Sequence, residues 1–174
     1  MLLLRVVVGL LFVGHGTQKL FGWFGGHGPD GTGAFLESLG YRPGRRHALL
    51  AGASEAGGGG LLVLGLLTPL AAAIIVGVMV NAAVSTSIHN GIWITQGGIE
   101  YQLVLAVAAA TVAFTGPGRW ALDAAAGWPL HGALWGIGAV LLGVATGGAV
   151  VATRVEDVEE ADDVEQGSLF ADAA

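Results

Sequence analysis

The sequence contains no cysteine. That excludes disulfides, thiol redox chemistry, cysteine-held iron–sulfur clusters and covalently attached c-type haem. Charge is scarce as well. Asp, Glu, Lys and Arg make up 11% of the 174 residues, against about 25% in an ordinary soluble domain. Only 7 residues are basic, the net charge is −6 and no basic stripe runs along the chain, so a nucleic-acid partner is not expected. Much of the acidity collects at one end, in Glu156, Asp157, Glu159, Glu160, Asp162, Asp163, Glu165 and Asp172. What fills the rest is apolar: hydrophobic residues reach 53% and the mean hydropathy is +0.70. These proportions point to an all-α integral membrane helical bundle.

A membrane helix needs about 20 mostly apolar residues. Four stretches meet this need as a core, at residues 2–24, 47–66, 69–89 and 99–115. A fifth stretch, 129–153, forms an additional C-terminal transmembrane helix. The first is read as a retained helix rather than a signal peptide, because His15, Gln18 and Lys19 follow its short apolar run where a small-x-small cleavage site would be. Between the second and third, Thr68 is placed to cap and Pro69 to open the next helix, giving a tight hairpin. Gly116-Pro117-Gly118 stops the fourth. Trp23 and Trp93 fall at one set of helix ends, Trp120 and Trp128 at the other, as interfacial tryptophan favours. Residues 25–46 read as a glycine-rich loop in which Ala34 to Leu39 form a short amphipathic turn on the membrane surface. The acidic tail, 155–174, reads as solvated and disordered.

Lys19, Arg42, Arg45, Arg46 and Arg154 gather on the side of the first and third loops and the tail; Arg5 and Arg119 lie on the other. By the excess of cytoplasmic Lys and Arg, the amino terminus lies outside and the tail inside a multi-pass cell (plasma) membrane protein.

Some motifs carry nothing. Gly26-His27-Gly28-Pro29-Asp30-Gly31 matches G-x-G-x-x-G in letters only, since no strand precedes it. The five histidines form no i,i+3 or i,i+4 pair, so no helical metal clamp is signalled and no metal is expected.

Ionisable residues inside a membrane are costly and therefore mark candidate sites. The first helix carries His15, Gln18 and Lys19, the second Ser54 and Glu55, the third Asn81, Ser85 and His89, and the fourth opens with Glu100 and Tyr101. At 1.5 Å rise per residue, His15, Glu55 and Asn81 all lie about 12–13 Å below the same surface. The antiparallel order gathers these groups into one half of the bundle. Arg5, Thr68 and Thr111 are nearly all that is polar in the other half. The pattern predicts a one-sided polar pocket with His15, Gln18, Lys19, Glu55, Asn81, Ser85, Glu100 and Tyr101 as substrate-binding or proton-relay residues. Each also has a plainer reading. Lys19 with Glu55 reads as a structural ion pair, Glu100 as a favourable charge at a helix N-terminus, and Asn81 with Ser85 as interhelical hydrogen bonds. Glycine, at 31 residues, supplies a second pattern. Gly132, Gly136, Ala139, Gly143 and Gly147 form one smooth stripe on the fifth helix, expected to dock closely on its own bundle or a second subunit.

The segment Gly9-Leu10-Leu11-Phe12-Val13-Gly14-His15-Gly16-x-Gln18-Lys19-Leu20-Phe21 resembles the first helix of the DoxX family of small membrane proteins. Glu55 ahead of Gly57-Gly58, Gly65-Leu66-Leu67-Thr68-Pro69, Asn81 and Gly91-x-Trp93 follow in order. Gly98-x-Glu100-Tyr101 and Gly116-Pro117-Gly118-Arg119-Trp120-x-Leu122-Asp123 extend the resemblance to residues 1–123. It implies a four-helix membrane core and a link to quinone-dependent oxidoreductases, among them a thiosulfate:quinone oxidoreductase. The fifth helix and the tail depart from that pattern. The function expected is thus a membrane subunit of a quinone-linked oxidoreductase system, with a pocket for a quinone headgroup or a small anion such as thiosulfate. With no redox centre of its own, it needs a partner redox protein or a soluble donor; the assembly expected is with that partner or as a homo-oligomer. The alternatives are a non-catalytic membrane scaffold that recruits partner proteins and, third, a small-solute permease.

Overall fold

A computed structural model describes residues 1–155. The expected disorder of the tail falls on residues outside that range, apart from Val155. The described chain is a helical membrane bundle. Its elements are α1 (Leu2–Phe21), α2 (Gly28–Ser38), α3 (Gly44–Leu64), α4 (Thr68–Ala82), α5 (Glu100–Thr115), the short α6 (Leu122–Ala125) and α7 (Ala133–Val151). Three helical spans are long and apolar enough to cross a membrane: Leu2–Phe21, Thr68–Asn90 and Ala133–Val151.

The helix limits follow local chemistry. α1 ends at Gly22, which takes the left-handed conformation and returns its N–H to the Gln18 carbonyl, so the helix stops three residues before the expected Phe24. The region read as a loop folds instead as α2. Pro29 sits in its first turn, and Gly33 allows α2 to lie directly on the start of α3 at Gly44 and Arg45. α3 consequently starts at Gly44, earlier than His47. The α4 path is not a continuous α-helix to His89. It passes at Ala83 into a π turn that ends at Ser87, then into a 3-10 turn, Ile88–Asn90. His89 therefore leaves the face shared by Asn81 and Ser85 and is exposed. α7 begins at Ala133 rather than Pro129, and Trp135 lies in its first turn.

α1 packs along α3, α3 against α4, and α4 between α5 and α7. Val8, Phe12, Leu62, Ile75, Met79, Leu105 and Val112 form the core with a run of alanines. α1 and α3 approach at backbone distance: a Cβ on Gly16 would lie 2.6 Å from the Gly52 carbonyl oxygen. α7 docks on α4 and the end of α5 through its small residues. Gly136, Ala139, Gly143 and Gly147 are buried; Gly136 faces the Phe114 ring, Gly143 faces Ala73 and Val76, and Gly147 faces Gly77. Gly132 lies outside this contact, at φ 102° as the residue preceding the helix.

The half expected to be almost apolar holds a buried polar latch. Arg5, Thr68 and Asp123 are 1%, 0% and 1% exposed. Arg5 donates to the Leu62, Val63 and Trp120 carbonyls, covering the open end of α3. Asp123 accepts from the Leu67 and Thr68 backbone N–H groups at 2.8 and 2.9 Å and from the Thr68 hydroxyl at 2.6 Å. The start of α4 is thus capped by a distant carboxylate, not by the Thr68 side chain.

Candidate functional site: a polar groove between the first and fifth helices

Lys19, one turn above His15 on α1, reaches across the tight α1–α3 contact. Its Nζ lies 2.6 Å from Glu55 Oε2, with side-chain exposures of 26% and 7%. On the same face, His15 Nδ1 lies 3.1 Å from Gln18 Oε1, and His15 Nε2 lies 3.2 Å from the Tyr101 hydroxyl on α5. Gln18 is oriented by its other end, since its Nε2 donates to the Phe24 carbonyl at 3.2 Å. That leaves Gln18 Oε1 as an acceptor, so His15 carries its proton on Nδ1 and presents an Nε2 lone pair. Tyr101 then donates its O–H to His15. Lys19 and His15 stand one turn apart on α1, so the Lys19–Glu55 pair and the Gln18–His15–Tyr101 chain form one cluster of five residues. His15 and Tyr101 are both exposed, in a groove where α1 and α5 touch only sparsely.

Asn81 and Ser85 belong to a second place. Both converge on Tyr41, whose ring is 1% exposed. The Asn81 amide donates to the Tyr41 hydroxyl at 2.7 Å, and the Ser85 hydroxyl lies 2.6 Å from it. The π turn carries Ser85 to this meeting point; such turns often occur at functional positions. Glu100 joins neither place. Its carboxylate accepts the Ile94 N–H at 2.9 Å and secures the turn before α5.

Tyr41 was not singled out in the sequence, because it lies in the supposed loop. The chain has only 2 tyrosines, and both end up hydrogen-bonded to polar helix residues. Their scarcity is the signal that could have marked Tyr41.

The DoxX family profile matches residues 1–88, from α1 to the turn that ends α4. An uncharacterized membrane protein of Mycobacterium tuberculosis is 33% identical over 132 residues, covering 69% of this chain and 77% of the relative. No solved structure matches. His15, Lys19, Glu55 and Asn81 lie within the matched residues, whereas Tyr101 lies beyond the profile. On these matches, and with the helical membrane bundle just described, the chain belongs to the DoxX family.

Proposed function

We propose that the groove between α1 and α5 receives the headgroup of a membrane quinone, and that the protein is a membrane subunit of a quinone-linked oxidoreductase system. The observation that carries the reading is the His15–Tyr101 hydrogen bond on an exposed surface between helices. A quinone supplies two-electron redox chemistry, and its carbonyl oxygens need hydrogen-bond donors. The residues present fit that need. The Tyr101 hydroxyl can turn from His15 to donate to a carbonyl oxygen, and the His15 Nε2 lone pair, held in place by Gln18, can take up a proton and hand it on to Tyr101. Glu55 faces the same cluster and holds Lys19 in place. The ion pair favours a quinone over thiosulfate. Lys19 already has its charge cancelled at 2.6 Å, so a small anion would have to displace a buried carboxylate.

Electrons come from a partner redox protein, with a homo-oligomer as the other assembly. The membrane is the plasma membrane, with the amino terminus outside. The support for this sidedness is that Arg42, Arg45 and Arg46 lie at the end where α7 finishes.

The test is purification with native lipids followed by mass spectrometry for quinone. The wild-type protein should retain near-stoichiometric quinone, whereas Tyr101→Phe and His15→Ala should lose most of it while remaining folded. Repeated wild-type preparations without quinone would overturn the reading and favour the scaffold.

A further inference from the structure

A cavity of about 430 Å³ lies away from the α1–α5 groove, between α3, α4 and α7 with α2 above it. That volume is within the range of about 300–1,000 Å³ that holds small organic ligands. Its wall is largely apolar, built from Leu36, Leu50, Ile74, Val78 and Val150. His47, Ser54 and Asn81 interrupt it. The His47 ring packs on Tyr41 at 5.2 Å, but among the described residues neither His47 nor Ser54 makes a side-chain hydrogen bond. Asn81 uses its amide nitrogen on Tyr41, and its Oδ1 has no hydrogen-bond partner among the described residues. Among the described residues no Asp, Glu, Lys or Arg lines the space.

The aqueous end is closed. Arg154 Nε donates to the Leu39 carbonyl at 2.7 Å, and Val155 N–H donates to the Gly40 carbonyl at 2.9 Å. The Arg154 guanidinium also lies over the Tyr41 ring, 5.8 Å from its centroid. Entry is therefore from the side, past Leu50 and Val150, which are 64% and 43% exposed toward lipid.

We propose that this cavity is a second ligand site, for a single-chain amphiphile with an uncharged, hydroxyl-bearing head. The apolar wall takes the chain. Asn81 Oδ1 accepts a hydroxyl proton, and Ser54 and His47 complete the head's hydrogen bonds. The uncharged lining among the described residues favours an uncharged head over an ionic one. Two sources share this chemistry, a monoacylglycerol-type lipid and a reduced quinone. α7 builds one wall, so the site depends on the helix that departs from the four-helix family pattern.

The full chain in phosphatidylcholine nanodiscs would be titrated by thermal shift with 1-monooleoylglycerol, decylubiquinol and hexadecane. At least one of the two hydroxyl-headed probes should stabilise Tyr101→Phe, in which the α1–α5 groove is disabled, and which one does so identifies the source. Hexadecane should not. Ser54→Ala should keep its fold and weaken binding by about tenfold, the loss of one hydrogen bond in an apolar site. Ala51→Phe, added to Tyr101→Phe, fills the cavity and should abolish the binding that remains. The proposal fails if neither probe acts, if hexadecane acts equally, or if Ser54→Ala binds as the wild type does. Loss of binding in Tyr101→Phe would show that the two sites are one.

Discussion

Lys19 and Glu55 offer a direct measure of how the core tolerates charge. Their exposures differ, and the difference sets unequal costs. Removing one partner of a buried pair typically costs about 3–5 kcal/mol. Lys19→Met leaves Glu55 orphaned with 7% of its side chain exposed; about 3–4 kcal/mol is expected. Glu55→Gln leaves Lys19, which is 26% exposed and has a long stem that can carry the ammonium toward water. The cost there should be about 1–2 kcal/mol. For a chain of this size, 1 kcal/mol moves the midpoint by about 2–4 °C. Lys19→Met should therefore lower the melting temperature in detergent by about 6–16 °C, and Glu55→Gln by about 2–8 °C. The double variant leaves no orphan charge and should recover to within about 1 kcal/mol of the wild type. Circular dichroism melts of the four proteins complete the cycle. Additive losses in the double variant would refute the reasoning, because independent residues show no coupling.

Asp123→Ala strands three buried donors at the start of α4 and should cost about 3 kcal/mol or more, with Asp123→Asn intermediate, read by thermal unfolding. Gly143→Leu should loosen α7, since even a Cβ there would lie 2.7 Å from the Ala73 carbonyl oxygen and Val76 Cβ; a loss of about 3 kcal/mol or more is expected, with faster proteolysis of α7. Truncation after Ala126 should leave α1, α3, α4 and α5 inserted and monodisperse by gel filtration. Wholesale aggregation would show that α7 is part of one core.

Of the five membrane helices expected, the first, third and fifth were legible because apolar length is a strong signal, while 47–66 and 99–115 fold as helices that fall short of it; equal depth on antiparallel helices placed Lys19 beside Glu55. His15 and Tyr101 were also placed in the same half. Regular four-residue spacing puts Asn81, Ser85 and His89 on one straight face, and the structure departs from it there. Helical periodicity carries no sign of the π turn that begins at Ala83, which keeps Asn81 and Ser85 on Tyr41 and sends His89 outward. The glycine-rich stretch read as loop because glycine lowers helix propensity; tertiary contact at Gly33 outweighs that tendency. The Arg5 and Asp123 latch was hidden for a different reason. Each residue is alone on its segment, and only the fold brings them to the ends of α3 and α4.

The composition of α3 bears on how the protein is made. Gly44–Leu64 is not among the spans apolar enough to cross a membrane unaided. It begins Gly-Arg-Arg, carries Glu55 near its middle and is rich in glycine. A lone carboxylate at the centre of a nascent segment opposes release into lipid by about 2.5–3.5 kcal/mol. α1 emerges first from the ribosome and bears the matching Lys19, with glycine faces cut to the same contact. The translocon would then have to hold α1 until α3 arrives and release the two into the bilayer together.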